Sequence, residues 1–190
     1  MPSYFSQPRR DKLAPFLPGG GALAALPRDI AFSQDLLDLQ SVAQDLYPKK
    51  LLELRENGPP PQVEIELVVW PNSTNQVEEV VRWSREAQVS LIPYGAGSGV
   101  CGATLPTDVS DRPRVLVDLK KMRAIRSVDP VSQTAWVEVG WIGENLEREL
   151  NERGYTLGHF PSSIYCSTVG GYLAARSAGQ FSTKYGNLGT

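Results

Sequence analysis

The residues best able to do chemistry in this chain are backbone groups left bare by glycine. Tyr94-Gly95-Ala96-Gly97-Ser98-Gly99-Val100-Cys101-Gly102 places four glycines within eight positions. Glycine leaves neighbouring N–H groups uncovered and permits positive φ. Successive uncovered N–H groups form an anion-binding nest without a helix, and Ser98 adds a hydroxyl donor. A diphosphate is the natural guest. A second glycine-bearing segment is Ser167-Thr168-Val169-Gly170-Gly171. Ser167 or Thr168 reads as a helix N-cap. Glycine in a first turn costs about 1 kcal/mol relative to alanine, so close approach of a ligand or of another backbone should offset it. First-turn amides are expected to be free there, and the helix dipole favours negative charge. Two such segments about 70 residues apart suggest one extended diphosphate ligand gripped twice. The bland alternatives are a plain glycine turn at the first segment and tight helix–strand packing at the second.

Gly97-x-Gly99-x-x-Gly102 also spells the dinucleotide fingerprint, with Asp118 where a ribose-binding acid would stand. That fingerprint must open a helix whose N-terminus holds the pyrophosphate. Here Gly102 is followed by Ala103-Thr104-Leu105-Pro106-Thr107-Asp108 and then Pro113, with no helical periodicity. The dinucleotide reading therefore fails on context, and the nest reading stands.

Several elements must position these loops. Leu36, Leu37, Leu39, Val42, Ala43 and Leu46 predict a helix, and Pro48 stops it or starts a second one through Leu51, Leu52 and Leu54. Pro59-Pro60-Pro61 reads as a stiff linker. Val63, Ile65, Leu67 and Val69 alternate with Glu64, Glu66, Val68 and Trp70, a period of two that predicts a strand. Ser73 and Gln76 have capping-box spacing, and Val77, Val80, Val81 and Ala87 are expected on the buried face of the helix that follows. Val89 to Ile92 reads as a buried strand bounded by Pro93. Strand, helix and strand make a βαβ unit with its strands expected to pair in parallel. Further strands are predicted over 114–119, 124–128 and 135–141, and a helix through Ile142, Leu146 and Leu150 with Gly154 as its stop.

Nineteen basic residues against twenty-one acidic ones give a net charge of −2, which argues against a nucleic-acid or polybasic membrane binder. No apolar run is long enough to span a bilayer. Arg9-Arg10 precedes only an interrupted apolar stretch, so an N-terminal arm is expected rather than a signal. The two cysteines, Cys101 and Cys166, lack zinc-type spacing, and the one histidine, His159, excludes multi-histidine metal sites, so no metal is expected. A cytoplasmic location fits this composition. Chemistry is expected to rest on backbone groups and a bound cofactor.

Taken together, these residues resemble the flavin-binding domain shared by p-cresol methylhydroxylase, vanillyl-alcohol oxidase, glycolate and D-lactate dehydrogenases and alkyldihydroxyacetonephosphate synthase. The resemblance runs through Val69-Trp70-Pro71, the loop from Pro93 to Ser98, Val117-Asp118-Leu119, Ser167-Thr168-Val169-Gly170-Gly171 and Lys184-Tyr185-Gly186-Asn187. The last two stretches are most like the synthase. The resemblance implies an α+β fold in two subdomains, a small βαβ one and a larger one on an antiparallel sheet. It divides the chain into an N-terminal arm with short helices over 1–61 and an FAD-binding domain over 62–190, incomplete at its C-terminus.

It also implies FAD as cofactor, with Pro93, Tyr94, Gly95, Ala96, Gly97 and Ser98 at the pyrophosphate. Pro161, Ser162 and Ser163 would line the adenine-side turn, and Ser167, Thr168, Gly170 and Gly171 the pyrophosphate and flavin side. The implied activity is oxidation of a small 2-hydroxy acid or alcohol by hydride transfer to flavin N5. The alternatives are a synthase-like FAD-dependent transferase and a non-catalytic flavin-binding fragment. No catalytic residue is assigned, and a homodimer is allowed. The sequence departs from the family pattern at Tyr94, Ala96, Ser163 and Ser177-Ala178. Relatives that tether flavin through a cysteine at the place of Cys166 also use a histidine in the first loop, where Ser98 stands. Non-covalent FAD is therefore expected, with Cys166 a buried thiol and Cys101 in packing. His159 is expected to make a local hydrogen bond, and Trp70, Trp83, Trp136 and Trp141 to lie in the core or at a subdomain interface.

Overall fold

The computed structural model describes residues 25–56, 65–104 and 112–188. The expectations for Arg9-Arg10, the Pro59-Pro60-Pro61 linker, Val63, Glu64 and Pro106 lie outside these residues. The chain divides into two compact units, one ending at Asp118 and the other starting at Leu119.

In the first unit β1 (Ala31–Ser33) precedes helices α1 (Leu36–Val42) and α2 (Pro48–Arg55). Asp35 caps α1 by accepting the Leu37 N–H at 2.8 Å. Pro48 begins α2, where its missing N–H costs nothing. Then come β2 (Leu67–Trp70), α3 (Thr74–Glu86), β3 (Ser90–Tyr94) and β4 (Arg114–Asp118). The sheet order is β1-β2-β4-β3. β4 runs parallel to both β2 and β3, and β1 pairs antiparallel with β2.

Strand, helix and strand follow one another as expected, but β2 and β3 are not neighbours, because β4 lies between them. Burial explains the order. Every residue of β4 is buried, so it needs a partner on each edge. β3 carries exposed Pro93, whose missing N–H suits an outer strand. The alternation read over 63–70 also gives way. Leu67, Val68 and Val69 are all fully buried, and so is Glu66. Glu66 accepts the Arg114 N–H at 2.6 Å, while its own N–H donates to the Arg114 carbonyl at 2.9 Å. Leu39, Val42, Ala43, Ile65, Val68, Tyr94 and Leu116 form one core, with Trp70 packed against it.

α3 starts at the expected place. Ser73 Oγ accepts the Gln76 N–H at 3.3 Å, and Gln76 Oε1 accepts the Asn72 N–H at 2.8 Å, one residue earlier than a capping box predicts. Its buried residues are Gln76, Val80, Trp83 and Ser84. Val81, expected inside, is 46% exposed, because the helix turns its Gln76–Val80–Trp83 stripe inward instead.

In the second unit β5 (Ile125–Asp129) and β6 (Thr134–Val137) form an antiparallel hairpin. Asp129 closes the turn, accepting from the Val131 N–H at 2.8 Å and the Ser132 hydroxyl at 2.7 Å. These two bonds, the hydroxyl first, hold its carboxyl below the usual range. Helix α4 (Gly143–Asn151) places Leu146 and Leu150 on Val169, with Ile125, Val137, Trp141, Tyr155 and Leu157 around them. Helices α5 (Val169–Ala174) and α6 (Ser182–Tyr185) follow. Trp136 does not join a core: it is 75% exposed, on the outer face of the short hairpin. Cys101 and Cys166 are both exposed thiols rather than packed ones.

Candidate functional site

The first glycine loop begins where β3 ends. Tyr94 pairs with Asp118 in the sheet register, so the chain leaves a well-fixed strand end. Pro93 is exposed, Tyr94 is buried, and Gly95, Ala96, Gly97 and Ser98 are half-buried. Gly97 has φ +70° and Ala96 has a negative φ. This change of sign between neighbours is one that a nest requires. Among the described residues the amides of Ala96 and Gly97 take no hydrogen-bond partner. These features fit an anionic group such as a diphosphate, as the residue pattern predicts.

Tyr94 shapes this loop from beneath. A side chain at Gly97 would run into Tyr94 Oη and come within 3.2 Å of Tyr94 Cζ. Burial, then Asp118 and Asp45, push the Tyr94 phenol above its ordinary pKa, so it stays a neutral hydroxyl. The fingerprint acid Asp118 is 2% exposed, and its Oδ2 accepts Trp70 Nε1–H at 3.0 Å. Residues 99–104 form bends and turns and open no helix.

The second segment is built differently. Thr168 is the N-cap of α5, and its Oγ1 accepts the Gly171 N–H at 3.2 Å. The Val169 N–H donates to the Trp141 carbonyl at 2.9 Å, and the Gly170 N–H donates to the Val139 carbonyl at 2.8 Å. The first-turn amides are therefore not free, contrary to the sequence expectation. A methyl group at Gly170 would lie 2.9 Å from Val139 Cβ and 3.1 Å from the Val139 carbonyl oxygen. Backbone approach offsets the cost of this glycine. Ser167 and Thr168 are buried, Gly170 is half-buried and Gly171 is exposed.

Pro161, Ser162 and Ser163 make a turn in which the Pro161 carbonyl accepts the Ile164 N–H and the Ser163 carbonyl accepts the Cys166 N–H, each at 3.0 Å. Pro161 is buried, Ser162 exposed and Ser163 half-buried. His159 is 5% exposed, shares a 3.1 Å hydrogen bond with Ser177 Oγ, and meets the Tyr172 ring edge-on at 4.8 Å. Burial lowers its pKa, so it is neutral and held in a local structural bond, as expected. Burial also pushes the Tyr172 phenol up to about 12, with Cys166 contributing less. Sequence reasoning missed Asp45, whose carboxylate lies against the first loop. A lone acid at the end of an apolar helical stretch gives no signal at the level of motifs.

A family model described as an FAD binding domain matches residues 65–190. Alkyldihydroxyacetonephosphate synthase of Dictyostelium discoideum is 39% identical over 123 residues, covering 65% of this chain and 20% of that protein. Glycolate oxidase subunit GlcD of Bacillus subtilis is 30% identical over 119 residues, covering 63% of this chain and 24% of that one. A solved structure of an alkyldihydroxyacetonephosphate synthase matches with a TM-score of 0.75 at 33% identity, covering 82% of this chain and 28% of its own. The chain thus spans 20–24% of the length of these curated relatives. No helix among the described residues is long and apolar enough to cross a membrane.

Proposed function

Because the chain belongs to the FAD binding domain family and its cofactor is FAD, we propose that it forms the flavin-holding portion of an FAD-dependent oxidoreductase acting on a small 2-hydroxy acid or alcohol. FAD, when bound, supplies a hydride acceptor at flavin N5. Pro93, Tyr94, Gly95, Ala96, Gly97 and Ser98 seat the diphosphate, with the amides of Ala96 and Gly97 as donors. The observation that carries this reading is the alternation of φ at Ala96 and Gly97, with both amides unpartnered among the described residues. Pro161, Ser162 and Ser163 form the adenine-side turn. Ser167, Thr168, Gly170 and Gly171 serve the pyrophosphate and flavin side by bringing backbone close rather than by offering first-turn amides. None of these residues is suited to take a proton from a substrate. The relatives are four to five times longer than the matched stretch, and no residue of this chain is assigned to substrate contact or proton abstraction.

A second reading is an FAD-dependent transferase of the alkyldihydroxyacetonephosphate synthase kind, which the 39% identity and the TM-score of 0.75 favour. Both readings require FAD and differ in what the flavin does. Titration of the chain with FAD and FMN should show preference for FAD, because FMN lacks the second phosphate and the adenosine. Anaerobic D-lactate or glycolate should then bleach the flavin absorbance of an intact protein carrying this chain. Flavin that binds but stays oxidised with every 2-hydroxy acid and alcohol tried would favour the transferase. Absence of FAD binding would overturn both.

A further inference from the structure

We propose that Asp45 is a positioning residue for the cofactor loop, acting from outside the stretch that the family model matches. This rests on the reading of residues 94–98 as the diphosphate seat. Asp45 is 5% exposed, and its two carboxylate oxygens have separate tasks. Oδ1 accepts the Tyr47 N–H at 3.1 Å, which fixes the turn between α1 and α2. Oδ2 crosses 58 positions of sequence to accept the Ala103 N–H at 3.0 Å. Beside it the Leu46 N–H donates to the Gly99 carbonyl at 2.8 Å. Two adjacent residues of the N-terminal region thus hold both ends of the stretch 99–103. Gly99 permits this closeness, since a methyl group there would lie 3.3 Å from Asp45 Oδ2.

The loop is consequently fixed at both limbs. Its entry is pinned by the Tyr94–Asp118 pairing at the end of β3. Its exit is pinned by Asp45 and Leu46. Between them lie Ala96 and Gly97, whose amides are unpartnered among the described residues. Preorganised donors bind more tightly because less ordering remains to be done on binding. The charge of Asp45 argues against direct contact with a diphosphate, since like charges repel, and both carboxylate oxygens are already accepting amides. Its effect passes through the backbone. The supporting helix is firmly seated: Leu39, Val42 and Ala43 of this region share one core with Tyr94.

The test compares the 190-residue chain with Asp45→Ala, Asp45→Asn and Gly97→Ala, each titrated with FAD by calorimetry and melted without FAD. Asp45→Ala should weaken FAD binding about tenfold in the folded fraction. Asp45→Asn keeps the shape and one acceptor oxygen, so it should fall between wild type and Asp45→Ala. Hydrogen exchange of residues 95–103 without FAD should be faster in both Asp45 variants. A merely structural role predicts a lower melting temperature with unchanged FAD affinity in the folded fraction and unchanged exchange, and that result overturns the proposal. Should Asp45→Ala not fold, Asp45→Asn decides by the same two measurements. If Gly97→Ala weakens FAD binding and neither Asp45 variant does, the positioning role is wrong and the loop assignment survives. If Gly97→Ala also leaves affinity unchanged, or wild type binds no FAD, the loop assignment fails and the role of Asp45 falls with it.

Discussion

Trp70 Nε1 donates to Asp118 Oδ2 at 3.0 Å, joining the last residue of β2 to the last residue of β4. Asp118 is also the register partner of Tyr94, the last residue of β3. Three parallel strands therefore finish at one edge of the sheet, braced by a bond between side chains. Ligands of parallel sheets lie beyond the carboxyl ends of the strands, where connections diverge. The loop bearing Ala96 and Gly97 departs from that edge.

A side chain at Gly97 meets two obstacles, its φ of +70° and the Tyr94 hydroxyl. Gly97→Ala should weaken FAD binding by about 10–100-fold, the loss of one good charge-assisted hydrogen bond. Tyr94→Phe removes the atom that the new methyl group meets first. The double variant should therefore bind FAD better than the two single losses predict. A double-mutant cycle that is additive within about 0.5 kcal/mol would show that the two residues do not meet.

His159 gives a stability effect with a definite sign. Burial lowers its pKa in the folded state below the ordinary 6.5, so the unfolded chain binds the proton more readily. The stability from its neutral form is fully present above the unfolded pKa of about 6.5 and is lost as pH falls toward the folded value. Urea midpoints at pH 7.5 and 5.5 should differ less in His159→Gln than in wild type. Equal differences in the two proteins would refute this.

The tryptophans separate by burial. Trp83 is 3% exposed and Trp136 is 75% exposed. Trp83→Ala should cost about 3–5 kcal/mol. Trp136→Thr keeps a strand-forming residue on a solvent face and should change stability by less than about 0.5 kcal/mol. Denaturant melts of both variants check this, and a large loss for Trp136→Thr would place that ring in a packed environment.

The family resemblance implies a non-covalent flavin, since the first loop carries Ser98 and no histidine, so flavin should leave with the supernatant on acid precipitation. The Cys166 thiol is exposed, with its Sγ 3.5 Å from the Ser163 carbonyl oxygen. Cys166→Ser should leave flavin content unchanged. Yellow colour retained in the pellet by wild type and lost in Cys166→Ser would establish a covalent link instead.

Local signals in the sequence were good guides to local structure. Ser73 capped its helix, Pro48 opened one, and Gly97 and Gly102 took the positive φ that glycine permits. Features that depend on distant partners were not legible. Strand order depended on which strand was buried on both faces, and period-two counting over 63–70 does not reveal that. The amides of Val169 and Gly170 looked free because their acceptors, Trp141 and Val139, lie about 30 residues away. Asp45 escaped notice for the same reason: its partner Ala103 is 58 positions off.

The placing of β4 has a consequence in time. This strand is the middle of the parallel set and the last part of the sheet to be synthesised. Until Asp118 has left the ribosome, β2 and β3 have no common neighbour, and Leu67, Val68 and Val69 have no β4 residues beside them. At about 5–20 residues per second, the interval between Tyr94 and Asp118 lasts on the order of 1–5 s. Through that interval the nascent chain displays unsatisfied apolar strand edges, the kind of surface that invites pairing with other chains. The β1–β2 pair can form earlier, but the parallel ladders of this sheet wait for its central strand.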